Sequence, residues 1–189
     1  MKGMSGTLSR RKKQPGDDNA TSEMAKQAVL AEIRKCFPEP EFTVLDGDSG
    51  EPRNIGKGFF GEITSTLKSG KVSTRKYGPE WDVVVKHSSS ERLMLFEVKY
   101  QKDAGNAHER AYRNFTERTV STLGEFLEVS YHPVKAIFTG PMAASEKYIR
   151  ELKATLAPTQ YFMYTARNQS EFLDWLTVNV KPYLTEETK

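Results

Sequence analysis

Asp82, Glu97 and Lys99 have the types and the spacing to do chemistry together. Asp82 stands at the start of the run Trp81-Asp82-Val83-Val84-Val85-Lys86-His87, and Glu97-Val98-Lys99 lies near the end of Leu93-Met94-Leu95-Phe96-Glu97-Val98-Lys99-Tyr100. Both runs are rich in β-branched and aromatic residues, and Ser88-Ser89-Ser90 between them is turn-like, which predicts an antiparallel hairpin. Alternation along a strand puts Glu97 and Lys99 on one side and turns Val98 toward the core. A turn between Ser89 and Ser90 sets Asp82 directly opposite Glu97. Facing carboxylates destabilise a strand pair unless something positive lies between them. A hard divalent cation such as Mg2+, which takes one or two carboxylates, a carbonyl and waters, supplies that charge. The donors here would be Asp82, Glu97 and the carbonyl of Val98. Lys99 beside them could hold or deprotonate an attacking water, while the cation offsets charge on a phosphate. Glu-x-Lys alone is also a common pattern of ordinary strand surfaces, and both readings stand on spacing alone.

The elements that must position these residues follow from periodicity. Val29, Leu30, Ile33 and Phe37 share one face of a helix that starts near Ser22 and is stopped by Pro38 and Pro40. Then come a short strand Phe42 to Leu45, a helix Ile55 to Leu67, a polar connection Gly70 to Gly78, and the hairpin. Downstream the pattern gives a long helix Asn106 to Phe126, a strand Val134 to Phe138, a helix Ser145 to Leu156, a strand Tyr161 to Tyr164 and a helix Ser170 to Lys181. This α/β order predicts a central mixed β-sheet flanked by helices on both faces.

The chain has 189 residues, 37% hydrophobic and 28% charged, with a formal net charge of +3. That size suits one domain, placed at 21–189, and the mild positive charge permits nucleic-acid binding without demanding it. Residues 1–20 hold almost no large apolar side chain but carry Arg10-Arg11-Lys12-Lys13, and are expected to be a disordered basic arm. They are either a solvated tail or a source of extra phosphate contacts. Cys36 is the only cysteine, so internal disulfides and cysteine-type zinc sites are excluded. No run approaches the roughly 20 apolar residues of a membrane span, and no signal peptide is evident, so a cytoplasmic location is expected.

Pro79-Glu80-Trp81-Asp82, followed after fourteen residues by Glu97-Val98-Lys99 on a hairpin, resembles the PD-(D/E)XK nuclease signature, with the proline three places before the aspartate rather than adjacent. Directly after it, Ala104-Gly105-Asn106-Ala107-His108-Glu109-Arg110, with Asn114-Phe115-Thr116, resembles the recognition segment of the EcoRI/MunI-like group of type II restriction endonucleases. The likeness runs from about Gly78 to Leu184 and includes Ala136-Ile137-Phe138-Thr139-Gly140 and Tyr161-Phe162-Met163-Tyr164. It implies the restriction-endonuclease-like fold, Mg2+-dependent hydrolysis of double-stranded DNA with Asp82, Glu97 and Lys99 as catalytic and metal residues, and a homodimer. It also implies a cognate DNA methyltransferase in the same system without a stable complex. The implied site is a palindrome containing AATT, cut before the first adenine to leave 5′-phosphate ends with four-base overhangs. Asn106, Ala107, Glu109 and Arg110 are then the base readers. Ala104 stands where that group carries an arginine for the outer base pair, which favours a four-base site; Lys102 or Asp103 could replace that contact.

The chemistry of the segment suits A·T pairs: Asn can bond adenine N6 and N7 together, Glu accepts from an exocyclic amine and Arg donates to N7 or O4. The same residues also fit a capping box, with Asn106 capping a helix and Glu109 reaching back to it. His108 falls on another side and reads as a packing or phosphate-side residue, His87 and His132 read as structural, and Glu62 is either a further acid near the metal or part of a solvated face. Two other functions share the scaffold: a repair or junction-resolving nuclease, which leaves Gly105 to Arg110 unexplained, and a DNA-binding protein without chemistry, which has no use for opposed carboxylates beside phosphates.

Overall fold

The computed structural model describes residues 15–47, 54–102 and 106–185; the side chains of 15–20 and of Ala107 lie outside that description. The first helix, α1 (Pro15–Cys36), carries the expected stripe: Val29, Leu30, Ile33 and the following Phe37 are at most 2% exposed. It begins seven residues before Ser22, inside the stretch expected to be disordered. Proline is well tolerated in a first helical turn, and Asp17 and Asp18 are residue types that suit a helix N-terminus. The rest of that arm, with Arg10 to Lys13, lies outside the described residues.

Five strands form one mixed sheet: β1 (Phe42–Asp46), β4 (Val83–His87), β5 (Leu93–Tyr100), β6 (Val134–Thr139) and β7 (Tyr161–Met163), in that spatial order. The first three run antiparallel and the last three parallel. One face of the sheet, presenting Val83, Val85, Phe96 and Val98, is covered by α1 together with α5 (Gln169–Asn179) and α6 (Lys181–Thr185), through Ile33, Phe172, Leu176 and Leu184. The opposite face presents Val84, Leu95, Ala136 and Phe138 to α2 (Ala107–Tyr112), α3 (Glu117–Leu127) and α4 (Glu146–Thr155), through Ala111, Leu123 and Leu152. Burying each such side chain is worth about 1.5 to 3 kcal/mol, so these two layers fix the sheet between them.

Two elements differ from the sequence expectation. Residues 55–67 were expected to be helical, and Ile55, Phe59, Ile63 and Leu67 do recur every four positions. Instead, β2 (Glu62–Thr66) pairs antiparallel with β3 (Val72–Lys76) in a separate two-stranded sheet, so the polar connection 70–78 is also a strand. Ile63, Thr64, Thr66, Val72 and Thr74 are β-branched, and the Thr64 and Thr74 hydroxyls join across the ladder at 3.0 Å. Gly61 and Gly70, at φ +87° and +78°, supply the left-handed turns that a helix would forbid. The long helix 106–126 is broken as well: after α2 a short 3-10 turn (Arg113–Phe115) leads to Thr116, whose extended backbone and Oγ1, accepting from Thr119 N–H at 3.3 Å, start α3 afresh.

Lys135 on β6 is 4% exposed, and its Nζ donates to the Thr159 carbonyl at 2.8 Å and lies 5.2 Å from the centre of the Tyr183 ring. Burial without a carboxylate partner pushes its ammonium down to about 8 from 10.5. His132, also desolvated, is pushed down to about 4 although the Asn114 carbonyl lies at 3.3 Å. In both cases the unfolded chain binds more protons than the folded one between the two values, so stability rises with pH through each window. We expect the unfolding free energy to increase between pH 8 and 10.5, by up to about 3 kcal/mol from Lys135. Denaturant titrations of the wild type and of Lys135→Met check this: the variant should be more stable at pH 7 and lose the alkaline rise.

Candidate active site

The hairpin register pairs Val83 with Phe96, which leaves Asp82 and Glu97 opposite one another at its open end. Asp82 N–H donates to the Phe96 carbonyl at 3.0 Å, so the pairing continues one residue beyond the strand. The even-numbered residues of β4 and odd-numbered residues of β5 share a face, and Asp82, Glu97 and Lys99 therefore project with Val84 and Leu95. Val98 turns to the other side and is 3% exposed in the core. The buried hydrophobic pattern on either side of the motif holds this register, because a one-residue slip would invert every side chain.

Asp82 is held at both oxygens. Oδ2 accepts the Val98 N–H at 2.7 Å, and Oδ1 is 2.6 Å from Lys26 Nζ of α1. Glu97, 6% exposed, pairs through Oε1 with Lys99 Nζ. Burial raises the Glu97 carboxyl above its usual range; Lys99 opposes that rise, Asp82 adds to it and Arg113 opposes it. On Lys26, burial works against the charge, but the bond to Asp82 and its charge outweigh it and raise the ammonium. These groups line a cleft of about 510 Å³ with Gly78, Pro79, Trp81 and Arg113.

The arrangement fits a hard cation. Two carboxylates meet from adjacent strands, the more buried one is kept from ionising freely by desolvation and by its neighbour, and two ammonium groups stand where compensating charge is needed. Among the described residues no group of three or more carboxylates, histidines or cysteines is placed to hold a metal ion, and at this cleft the carboxylates of Asp82 and Glu97 are the two that face each other.

Lys26 and Arg113 are the cleft residues that sequence reasoning missed. Lys26 had a signal: it precedes Val29, Leu30 and Ile33 at helical spacing, a lysine in line with the buried stripe. Arg113 had none, because its position depends on the break after α2. Glu62 is not brought to the cleft; it sits on β2 and pairs with Lys76 at 3.0 Å.

Asn106, Glu109 and Arg110 are all exposed at the start of α2. The capping box is absent. Asn106 makes no side-chain cap, and its Oδ1 accepts instead from Arg110 Nε at 3.3 Å and Nη2 at 3.1 Å. His108 is 4% exposed, bonded to Glu151 at 3.0 Å and packed edge-on to Tyr148, a packing residue. His87 bonds Ser90 at 2.8 Å, which fits its structural reading. Residues 103–105 and the side chain of Ala107 lie outside the described residues.

No protein-family model matches the chain, and neither does any curated protein. One solved structure is similar in fold. It is the MunI restriction endonuclease in complex with cognate DNA. The likeness covers 89% of this chain and 94% of that one, with a TM-score of 0.63 and 15% identity, and what the two share at that identity is the fold. The central mixed sheet flanked by helices is thus the restriction-endonuclease-like architecture. Among the described residues no helix is long and apolar enough to cross a membrane.

Proposed function

We propose that this chain is a Mg2+-dependent type II restriction endonuclease that cuts both strands of DNA at a palindrome containing AATT, leaving 5′-phosphate ends with four-base 5′ overhangs. The observation that carries the reading is the meeting of Asp82, Glu97 and Lys99 at one cleft, on a fold similar to that of an endonuclease bound to its DNA. Asp82, Glu97 and the Val98 carbonyl would hold Mg2+, which when bound supplies Lewis-acid stabilisation of the phosphate. Lys99 holds and orients the attacking water through its ammonium, kept beside Glu97 by their ion pair. Asp82 is pre-positioned by the Val98 N–H, so no rearrangement of the backbone is required of it.

Base reading falls to Asn106, Ala107, Glu109 and Arg110. The Asn106–Arg110 bonds set one planar amide and one guanidinium side by side at the surface, a pair whose remaining N–H groups suit acceptors such as adenine N7 and thymine O4. A palindrome is read by a two-fold homodimer with one such helix per half-site, and a cognate methyltransferase protects host DNA without a stable complex. Digestion of a genome of known sequence, with and without Mg2+, tests the reading. Discrete fragments with AATT at every end support it. Random nicking points to a repair-type nuclease, a gel shift without cutting to a binding protein, and either outcome overturns it.

A further inference from the structure

The β2–β3 hairpin stands at the mouth of the cleft, and among the described residues nothing covers it. Every residue of β2 is exposed, and of β3 only Ser73 is half-buried. A lone two-stranded hairpin is marginal in water, so a chain that keeps one here has a use for its bare surface. Its root is fixed. Tyr77 bonds both Gly58 N–H and Phe60 N–H through its carbonyl, at 3.1 and 2.9 Å, and a Cβ on Gly78 would fall 1.6 Å from the Gly56 carbonyl oxygen, so the two backbones touch where no side chain fits. Phe59 packs edge-on against Phe126 of α3. Phe60, Gly78 and Pro79 from this root line the same cleft as Asp82 and Glu97.

The charge is one-sided. Residues 57–76 carry Lys57, Lys68, Lys71, Arg75 and Lys76 against the single acid Glu62, which Lys76 neutralises. Among the described residues no carboxylate pairs with Lys68, Lys71 or Arg75. On one face of the ladder Arg75 stands opposite Ile63, Ser73 opposite Ser65 and Lys71 opposite Leu67, so one strand presents cation, hydroxyl and cation in a row beside the exposed Ile63 and Leu67, over a length of about a few phosphates. Resting on the nuclease reading above, we infer that this hairpin is an arm that grips the phosphate backbone of the duplex beside the cleft. A second copy of the chain is the poorer occupant, because two such hairpins would meet with like charge.

The test uses the full-length chain and the triple variant Lys68→Gln/Lys71→Gln/Arg75→Gln, whose sites are exposed and whose fold is checked by circular dichroism. Binding to a fluorescent duplex lacking AATT is measured without divalent metal across a salt series. The variant is expected to bind about tenfold or more weakly near 0.1 M salt, and the slope of log K against log salt is expected to fall by about two to three, one phosphate contact per cation. The charge-preserving variant Lys68→Arg/Lys71→Arg/Arg75→Lys should keep the wild-type slope. An unchanged slope in the glutamine variant overturns the inference, as does loss of dimer mass with the slope retained, which would assign the hairpin to subunit contact. If the wild type cuts at AATT while the glutamine variant binds as tightly as it does, only the arm is wrong; if the wild type binds no DNA, the nuclease reading fails first.

Discussion

Asp82→Ala, Glu97→Ala and Lys99→Ala are each expected to lower the rate of DNA cleavage by about 10²- to 10³-fold, the scale on which removal of one transition-state contact is felt. Folding should survive all three. Asp82 and Lys99 sit at a partly open cleft, and the register around them is held by Val83, Phe96 and Val98, which the substitutions leave alone. Glu97 gives a further check through its sign. Burial raises its carboxyl in the folded protein above the unfolded value, so the ionised group costs stability as pH rises through that interval, and above it the cost is complete. Glu97→Gln should therefore melt at a higher temperature than the wild type at neutral pH without metal while losing cleavage, the pattern of a group kept for chemistry rather than for stability. Lys26→Ala separates positioning from chemistry. Its ammonium occupies Asp82 Oδ1, and removing it should tighten Mg2+ binding by about fivefold in calorimetry, corresponding to the ~1 kcal/mol of a partly exposed ion pair. Asp82→Ala protein, purified free of contaminating nuclease, that still makes the wild-type fragments would end the assignment of the site.

The second large effect is on specificity. Asn106→Ala or Arg110→Ala is expected to weaken binding to the cognate site by roughly 1 to 3 kcal/mol per half-site, and a two-fold dimer feels the loss twice. Binding to random DNA should change far less, since neither residue is needed to hold phosphates. The structure adds a finer expectation. Asn106 Oδ1 holds the Arg110 guanidinium, so truncating Asn106 also releases Arg110, and the double variant should lose less than the sum of the single ones. Competition titrations with cognate and random duplexes measure both quantities. Equal loss on the two DNAs would return Asn106 to a purely structural role in ordering the start of α2.

Much of this was legible along the chain. The facing of Asp82 and Glu97 follows from a period of two and a four-residue turn, Ser88 to Glu91, and alternating burial leaves the hairpin one acceptable register, so local pattern and global fold agree there. Strands β1, β6 and β7 and the helices at the C-terminal end were visible for the same reason: their apolar residues repeat with the period of the element they form. The β2–β3 hairpin was misread because Ile55, Phe59, Ile63 and Leu67 recur every four residues while the strand buries neither face, so no alternation betrayed it. Periodicity reports burial, and an element that buries nothing has no period to report.

By itself, then, the sequence determined the hairpin that sets Asp82 opposite Glu97, the mixed α/β architecture and the exposure of Asn106, Glu109 and Arg110, because each depends on residues close together in the chain. Tertiary structure alone decided that Lys26, fifty-six positions before Asp82, lies 2.6 Å from it; that Arg113 reaches the cleft through a break in the helix; and that a cationic hairpin stands at the mouth. Such contacts join segments whose separation along the chain carries no pattern. They are fixed only when α1 and the sheet bury their apolar faces against each other and bring the polar ends of both to one place.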